Sequence, residues 1–133
     1  MSVEKLIAHW VEGSDKNFED MMAIYEAKRY DWALYIGHLS LEKLFKALYI
    51  KVTGKREVPF IHDLIKLARF CNLGDDQELI AKLAEINLFN IEAKYETEKK
   101  EFYKRCTKEY TETQIKIIKE IREWLRKKLT NMS

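Results

Sequence analysis

The stretch WALYIGHLSLEKLFKALYIKV, residues 32–52, decides the fold. Apolar residues occupy almost every direction around its axis when it is wound as a helix. A helix apolar on most faces belongs in the middle of a bundle or between subunits. Gly54 follows as a C-cap, and a short turn at Lys28 to Asp31 precedes the stretch. Upstream, Ser2 caps a helix from Val3 to Ala27. Its apolar stripe of Ile7, Trp10, Val11, Phe18, Met21, Met22 and Tyr25 runs across Gly13 and Ser14, with a bend expected at Gly13.

Downstream, Lys55 to Ile61 forms a loop around Pro59, the only proline. A short third helix runs from His62 to Cys71, closed by Asn72, Leu73 and Gly74. Asp75 or Asp76 caps a fourth from Gln77 to Asn90, with Leu79, Ile80, Leu83 and Ile86 on its apolar arc and Asn87 and Asn90 near the end of that arc. Ile91 to Lys100 reads as a polar linker. The last helix is expected from Glu101 to Leu129, with Tyr103, Cys106, Tyr110, Ile117, Ile118, Ile121, Trp124 and Leu125 inward. Lys104, Lys108, Lys119, Arg122 and Arg126 fall on the outward arc. The expected fold is therefore an all-α, antiparallel up-and-down bundle of three long and two short helices, the short pair packed across one end.

Composition agrees with this reading. The 133 residues fit a single domain, residues 1–133, large enough to bury a core without disulfides. Charged residues make up 35% of the chain, against only 4 Gly and 1 Pro, which disfavours a sheet fold with frequent turns. The net charge of +2 is too small for a general claim about nucleic acid. The basic excess lies in residues 98–133, with 11 Lys plus Arg against 6 Glu, but the acids are interleaved with the bases and favour helical pairing over a nucleic-acid stripe. No run reaches the ~18 to 20 apolar residues of a membrane span, and the N-terminus is amphipathic rather than signal-like, so a cytoplasmic location is expected. Cys71 and Cys106 have no metal-ligand spacing and read as buried hydrophobes.

Three constellations are candidates for chemistry. On the second helix His38, Glu42 and Lys46 recur every four residues, extended by Tyr35 and Tyr49. This stripe is either a solvated edge, worth about 0.2 to 0.5 kcal/mol for the Glu-to-Lys pair, or a face turned toward a groove, a partner or a second subunit. His62 and Asp63 open the third helix, where Asp63 complements the helix dipole and His62 could cap or hold the loop. In the linker, Asn90, Glu92, Lys94 and Tyr95 offer amide, cation and aromatic contacts to a phosphate or base, or form an ordinary polar loop. There is no Gly-rich phosphate loop, no G-x-S-x-G and no H-E-x-x-H, and no cofactor or metal is expected.

The order of these motifs resembles the HEPN domains (higher eukaryotes and prokaryotes nucleotide-binding). The likeness runs from Ile7-Ala8-His9-Trp10 through Arg29-Tyr30-Asp31-Trp32-Ala33-Leu34. Leu41 to Leu48 looks like the family's E-K-x-x-K-A signature, Ile61-His62-Asp63-Leu64 is similar to its H-D-L, and Lys94-Tyr95 stands where many members have Arg-Tyr-Pro. The resemblance implies an up-and-down helical bundle, usually a homodimer, often encoded beside a minimal nucleotidyltransferase. Some members are ribonucleases with an R-x(4–6)-H motif near the start of a late helix. Here no His follows residue 62, and only Arg56 and His62 match that spacing, in the loop before the third helix.

The resulting expectation is a non-catalytic HEPN-like homodimer that binds a nucleotide, a minimal nucleotidyltransferase partner, or both, through Glu42, Lys46, His62, Asp63, Lys94 and Tyr95. Two alternatives stand beside it. One is a ribonuclease toxin of a toxin–antitoxin pair using Arg56 and His62, and the other is a structural adaptor whose polar stripe has no ligand.

Overall fold

The computed structural model describes residues 1–131, and in it the chain is a helical bundle with no strand among the described residues. Three long helices, α1 (Val3–Glu26), α2 (Tyr30–Thr53) and α6 (Lys108–Asn131), are joined through three shorter ones, α3 (Leu64–Phe70), α4 (Gln77–Asn87) and α5 (Glu96–Arg105). A single 3-10 turn, Ile91–Ala93, precedes α5. The caps follow the local sequence. Ser2 accepts from the Lys5 N–H at α1, Asp63 from Ile65 and Lys66 at α3, and Asp76, not Asp75, from Leu79 at α4. Gly54 takes the left-handed conformation (φ 71°) that ends α2.

The expected helix from Glu101 to Leu129 is in fact two. The chain breaks at Cys106 and Thr107, where the Thr107 hydroxyl accepts from the Tyr110 N–H and caps α6. The expected linker from Ile91 to Lys100 correspondingly holds the 3-10 turn and the first turn of α5, so there are three short helices rather than two. A periodicity carried through the break mistakes the inward face. Phe102 is buried and stacks on Phe89 with centroids 5.7 Å apart, while Tyr103 is exposed. Arg122, expected outside, is only 7% exposed, and its Nη2 donates to Asp15 across the α1–α6 contact at 2.7 Å.

Helix α2 is the core, with Leu34, Leu41, Leu44, Phe45, Leu48 and Ile50 essentially without solvent contact. Burying each such large apolar side chain contributes about 1.5–3 kcal/mol. Helix α1 runs antiparallel to α2. The helix is continuous through Gly13 and Ser14, and there it is tied to α2: the Ser14 hydroxyl donates to the Ser40 carbonyl at 2.7 Å and the Ser40 hydroxyl to the Ser14 carbonyl at 3.1 Å. A Cβ on Gly13 would come within 3.1 Å of the Lys43 side chain. Helices α3 and α4 lie along the flank of α2 rather than across an end, with Cys71 Sγ at the Phe45 carbonyl and Phe70 against Tyr49. They and α5 return the chain to the α1–α2 turn. Helix α6 therefore starts beside Tyr25, runs parallel to α2 past Gly37 and ends where Lys51 donates to the Leu129 carbonyl.

Candidate functional site

The site is built on the polar stripe of α2, and that stripe is not a solvated edge. Glu42 and Lys46 are 5% and 4% exposed, and His38 is equally buried. One helical turn apart, the Lys46 ammonium donates to Glu42 Oε2 at 3.1 Å and lies 5.5 Å from the centre of the Trp10 ring on α1. Removing such a pair from water costs several kcal/mol per ion, which close geometry and further hydrogen bonds must offset. The further bond comes from the loop after α2. His62 Nδ1 donates to Glu42 Oε1 at 2.8 Å, so both carboxylate oxygens are used.

That bond also decides the state of the imidazole. A carboxylate can only accept, so Nδ1 carries the proton, and Nε2 has no protein partner among the described residues. The His62 side chain is about half exposed, at 52%. Its backbone is held as well, because His38 Nε2 donates to the His62 carbonyl at 3.1 Å. His38 Nδ1 is then a buried acceptor with no partner among the described residues. Burial lowers the His38 pKa below the ordinary imidazole value and outweighs the opposing pull of Glu42, so this ring is neutral at pH 7.

Asp63 adjoins His62 but its hydrogen bonds go to α3 and to Asn87 rather than to the Glu42 network. Its carboxylate caps α3 and accepts from Asn87 Nδ2 at 3.0 Å, while Asn87 Oδ1 accepts from the Leu64 N–H at 2.9 Å. Asn87 thus clamps the end of α4 to the start of α3, which explains an amide on an apolar arc.

Beside His62 lies a hollow of about 260 Å³, lined by Tyr35, Leu39, His62, Asn90, Glu92 and Ala93. Burial and the neighbouring Glu92 carboxylate push the Tyr35 phenol up to about 12, so its hydroxyl remains a neutral donor. The 3-10 turn divides the linker residues. Asn90 and Glu92 reach the hollow, whereas Lys94 is turned to the Phe102 ring, its Nζ 5.4 Å from the centroid. Tyr95 is 81% exposed at the start of α5, where its backbone N–H donates to Glu98 Oε1.

Of the six residues singled out from sequence, the fold joins Glu42, Lys46 and His62, turns Asp63 to a capping role, and leaves Lys94 and Tyr95 outside this network. Tyr35, His38, Asn90 and Glu92 stand in the candidate stripe and linker of the sequence but not among those six. The spacing of Tyr35 and His38 with Glu42 was visible, but the meeting of Asn90 and Glu92 with His62 was not. Arg56 borders a different hollow, with Tyr49, Gly54, Lys55 and Val58. Cys71 and Cys106 are free and buried, their thiols pushed up to about 12 by burial. Among the described residues, no group of three His, Cys, Asp or Glu side chains is placed to hold a metal ion, and no helix is long and apolar enough to cross a membrane.

The family model described as HEPN domain matches residues 7–128, from the first turns of α1 to the last turns of α6. Neither a curated protein nor a solved structure matches the chain.

Proposed function

The chain belongs to the HEPN family, and from that premise we propose that it is a nucleotide-binding helical domain without catalysis of its own, acting as a homodimer beside a minimal nucleotidyltransferase. The observation that carries this reading is the capture of His62 by a carboxylate buried on the central helix. Glu42 takes Nδ1, and Nε2 of His62, which lines the hollow, has no partner among the described residues. A fixed imidazole nitrogen that can donate or accept suits the polar edge of a ligand. Lys46 acts indirectly, by balancing the charge of Glu42, and Asp63 by holding the loop. Lys94, over the Phe102 ring, and the exposed Tyr95 lie outside the lining of this hollow and are assigned to the partner.

Acid–base catalysis needs a second group positioned at the reacting atoms. His62 has its orienting carboxylate, but Arg56, its companion in the ribonuclease alternative, borders a separate hollow.

Labelled ATP, GTP, CTP and UTP titrated against the wild type and His62→Ala test the nucleotide half. Saturable binding of at least one, weakened about tenfold by the substitution, is the expected result, in line with the loss of one hydrogen bond to a ligand. Binding of none overturns it. For the partner half, a minimal nucleotidyltransferase encoded beside the gene should co-purify with the wild type and be released by Tyr95→Ala.

A further inference from the structure

The hollow beside His62 differs from an ordinary phosphate site in its charges. None of its lining residues is Lys or Arg. The two nearby lysines from the sequence motifs are already engaged, Lys46 by Glu42 and Lys94 by the Phe102 ring. Phosphates are held by Arg, Lys or clustered backbone N–H groups, and here the charged lining group is instead a carboxylate, Glu92. The walls are apolar, from Leu39, Ala93 and the Tyr35 ring. Two exposed aromatic rings touch residues of this lining. Trp32 meets Tyr35 edge-on at 6.0 Å, and Phe60, 91% exposed, meets His62 edge-on at 5.8 Å. At about 260 Å³ the hollow lies just under the ~300–1,000 Å³ of pockets that enclose a whole drug-sized ligand, so it admits part of a nucleotide.

Resting on the nucleotide-binding reading, we propose that this hollow takes the base of the nucleotide, that the base is guanine, and that the phosphates stay in solvent. Glu92 is acceptor-only, so it requires a base edge that presents N–H groups. Guanine presents two side by side, the ring N1–H and the exocyclic 2-amino group, matching the two oxygens of one carboxylate. Adenine would set its N1 lone pair against the carboxylate. The Asn90 amide can donate to the guanine carbonyl. Tyr35 and Glu92 both line the hollow. Phe60 provides a stacking face that serves any base.

Calorimetric titration of the full chain with guanosine, adenosine, inosine and GTP tests this, on the wild type, Glu92→Gln and Phe60→Ala. Guanosine should bind about tenfold or more tighter than adenosine, with inosine, which lacks the 2-amino group, between them. GTP should match guanosine to within about threefold, because its phosphates contribute little. Glu92→Gln should abolish the preference, and Phe60→Ala should weaken all ligands alike. Glu92 and Phe60 are both on the surface, so these variants keep the fold, which circular dichroism checks. Equal affinity for adenosine and guanosine, an unchanged preference in Glu92→Gln, or GTP binding far tighter than guanosine would overturn the base assignment while leaving nucleotide binding intact. Failure of every ligand, including GTP, would overturn the nucleotide reading as well.

Discussion

Glu42 and His62 are twenty residues apart in the chain and 2.8 Å apart in the fold, joined by a hydrogen bond from the imidazole Nδ1 to a carboxylate buried on the central helix. The bond links the loop after α2 to the core and makes the orientation of His62 depend on a charge pair that solvent barely reaches.

That pair should respond asymmetrically to mutation. Lys46→Met leaves the Glu42 carboxylate without its cation and should destabilise the protein by about 3–5 kcal/mol. Glu42→Leu combined with Lys46→Met removes both charges and should recover most of that loss, while freeing the His62 ring. Urea unfolding of the single and double variants measures the difference. NMR relaxation of the His62 side chain in the double variant should show a ring released from its fixed orientation.

His38 should make the stability fall in acid. Its folded pKa lies below the unfolded value of about 6.5 because burial disfavours the imidazolium more than Glu42, the hydrogen bond to the His62 carbonyl and Asp63 favour it. Below about pH 6.5 the unfolded chain therefore binds a proton that the folded one resists. The stability is complete above that pH and declines as the pH falls toward the folded pKa. Unfolding midpoints at pH 7.5, 6.0 and 5.0 should drop for the wild type and drop less for His38→Gln, whose amide can still donate to the His62 carbonyl.

Gly37 sits where three helices meet. A Cβ there would lie 2.7 Å from Met21 Sδ and 2.8 Å from Ile118 Cδ1. Alanine gains about 1 kcal/mol of helix propensity, but crowding in a filled core costs about 1–3 kcal/mol. The net should be a loss of about 1 kcal/mol for Gly37→Ala and a larger one for Gly37→Val. Thermal unfolding of the two variants gives the order.

Asn87 should matter more than its place near the end of α4 suggests. Asn87→Leu keeps an apolar arc but leaves the Leu64 N–H and one contact of Asp63 unmet, at a cost of about 1–3 kcal/mol. Hydrogen exchange should quicken at Leu64 and in the first turn of α3, while α1 and α6 stay protected.

Much of this architecture follows from short-range patterns. The three long helices, the caps at Ser2 and Gly54 and the central position of α2 are all readable from periodicity, because a helix repeats every 3.6 residues whatever surrounds it. The break at Cys106 and Thr107 was not readable. No Gly or Pro marks it, and Cys106, Tyr110 and Ile117 keep the apolar phase across it. It exists because Phe102 must reach Phe89 while Thr107 caps the helix that follows.

The same division holds for the site. Glu42 and Lys46 were visible as polar exceptions on an apolar helix, and their spacing alone makes them a pair. Which groups would meet them was set by the path of the chain. The loop after Gly54 turns back along α2 and lays His62 on Glu42, and the turn after α4 brings Asn90 and Glu92 to the same hollow but directs Lys94 away. Periodicity reports which face of a helix is buried, since that is a local property of side-chain direction. What is buried against that face depends on contacts between residues far apart in the chain, and those arise only when the whole core closes.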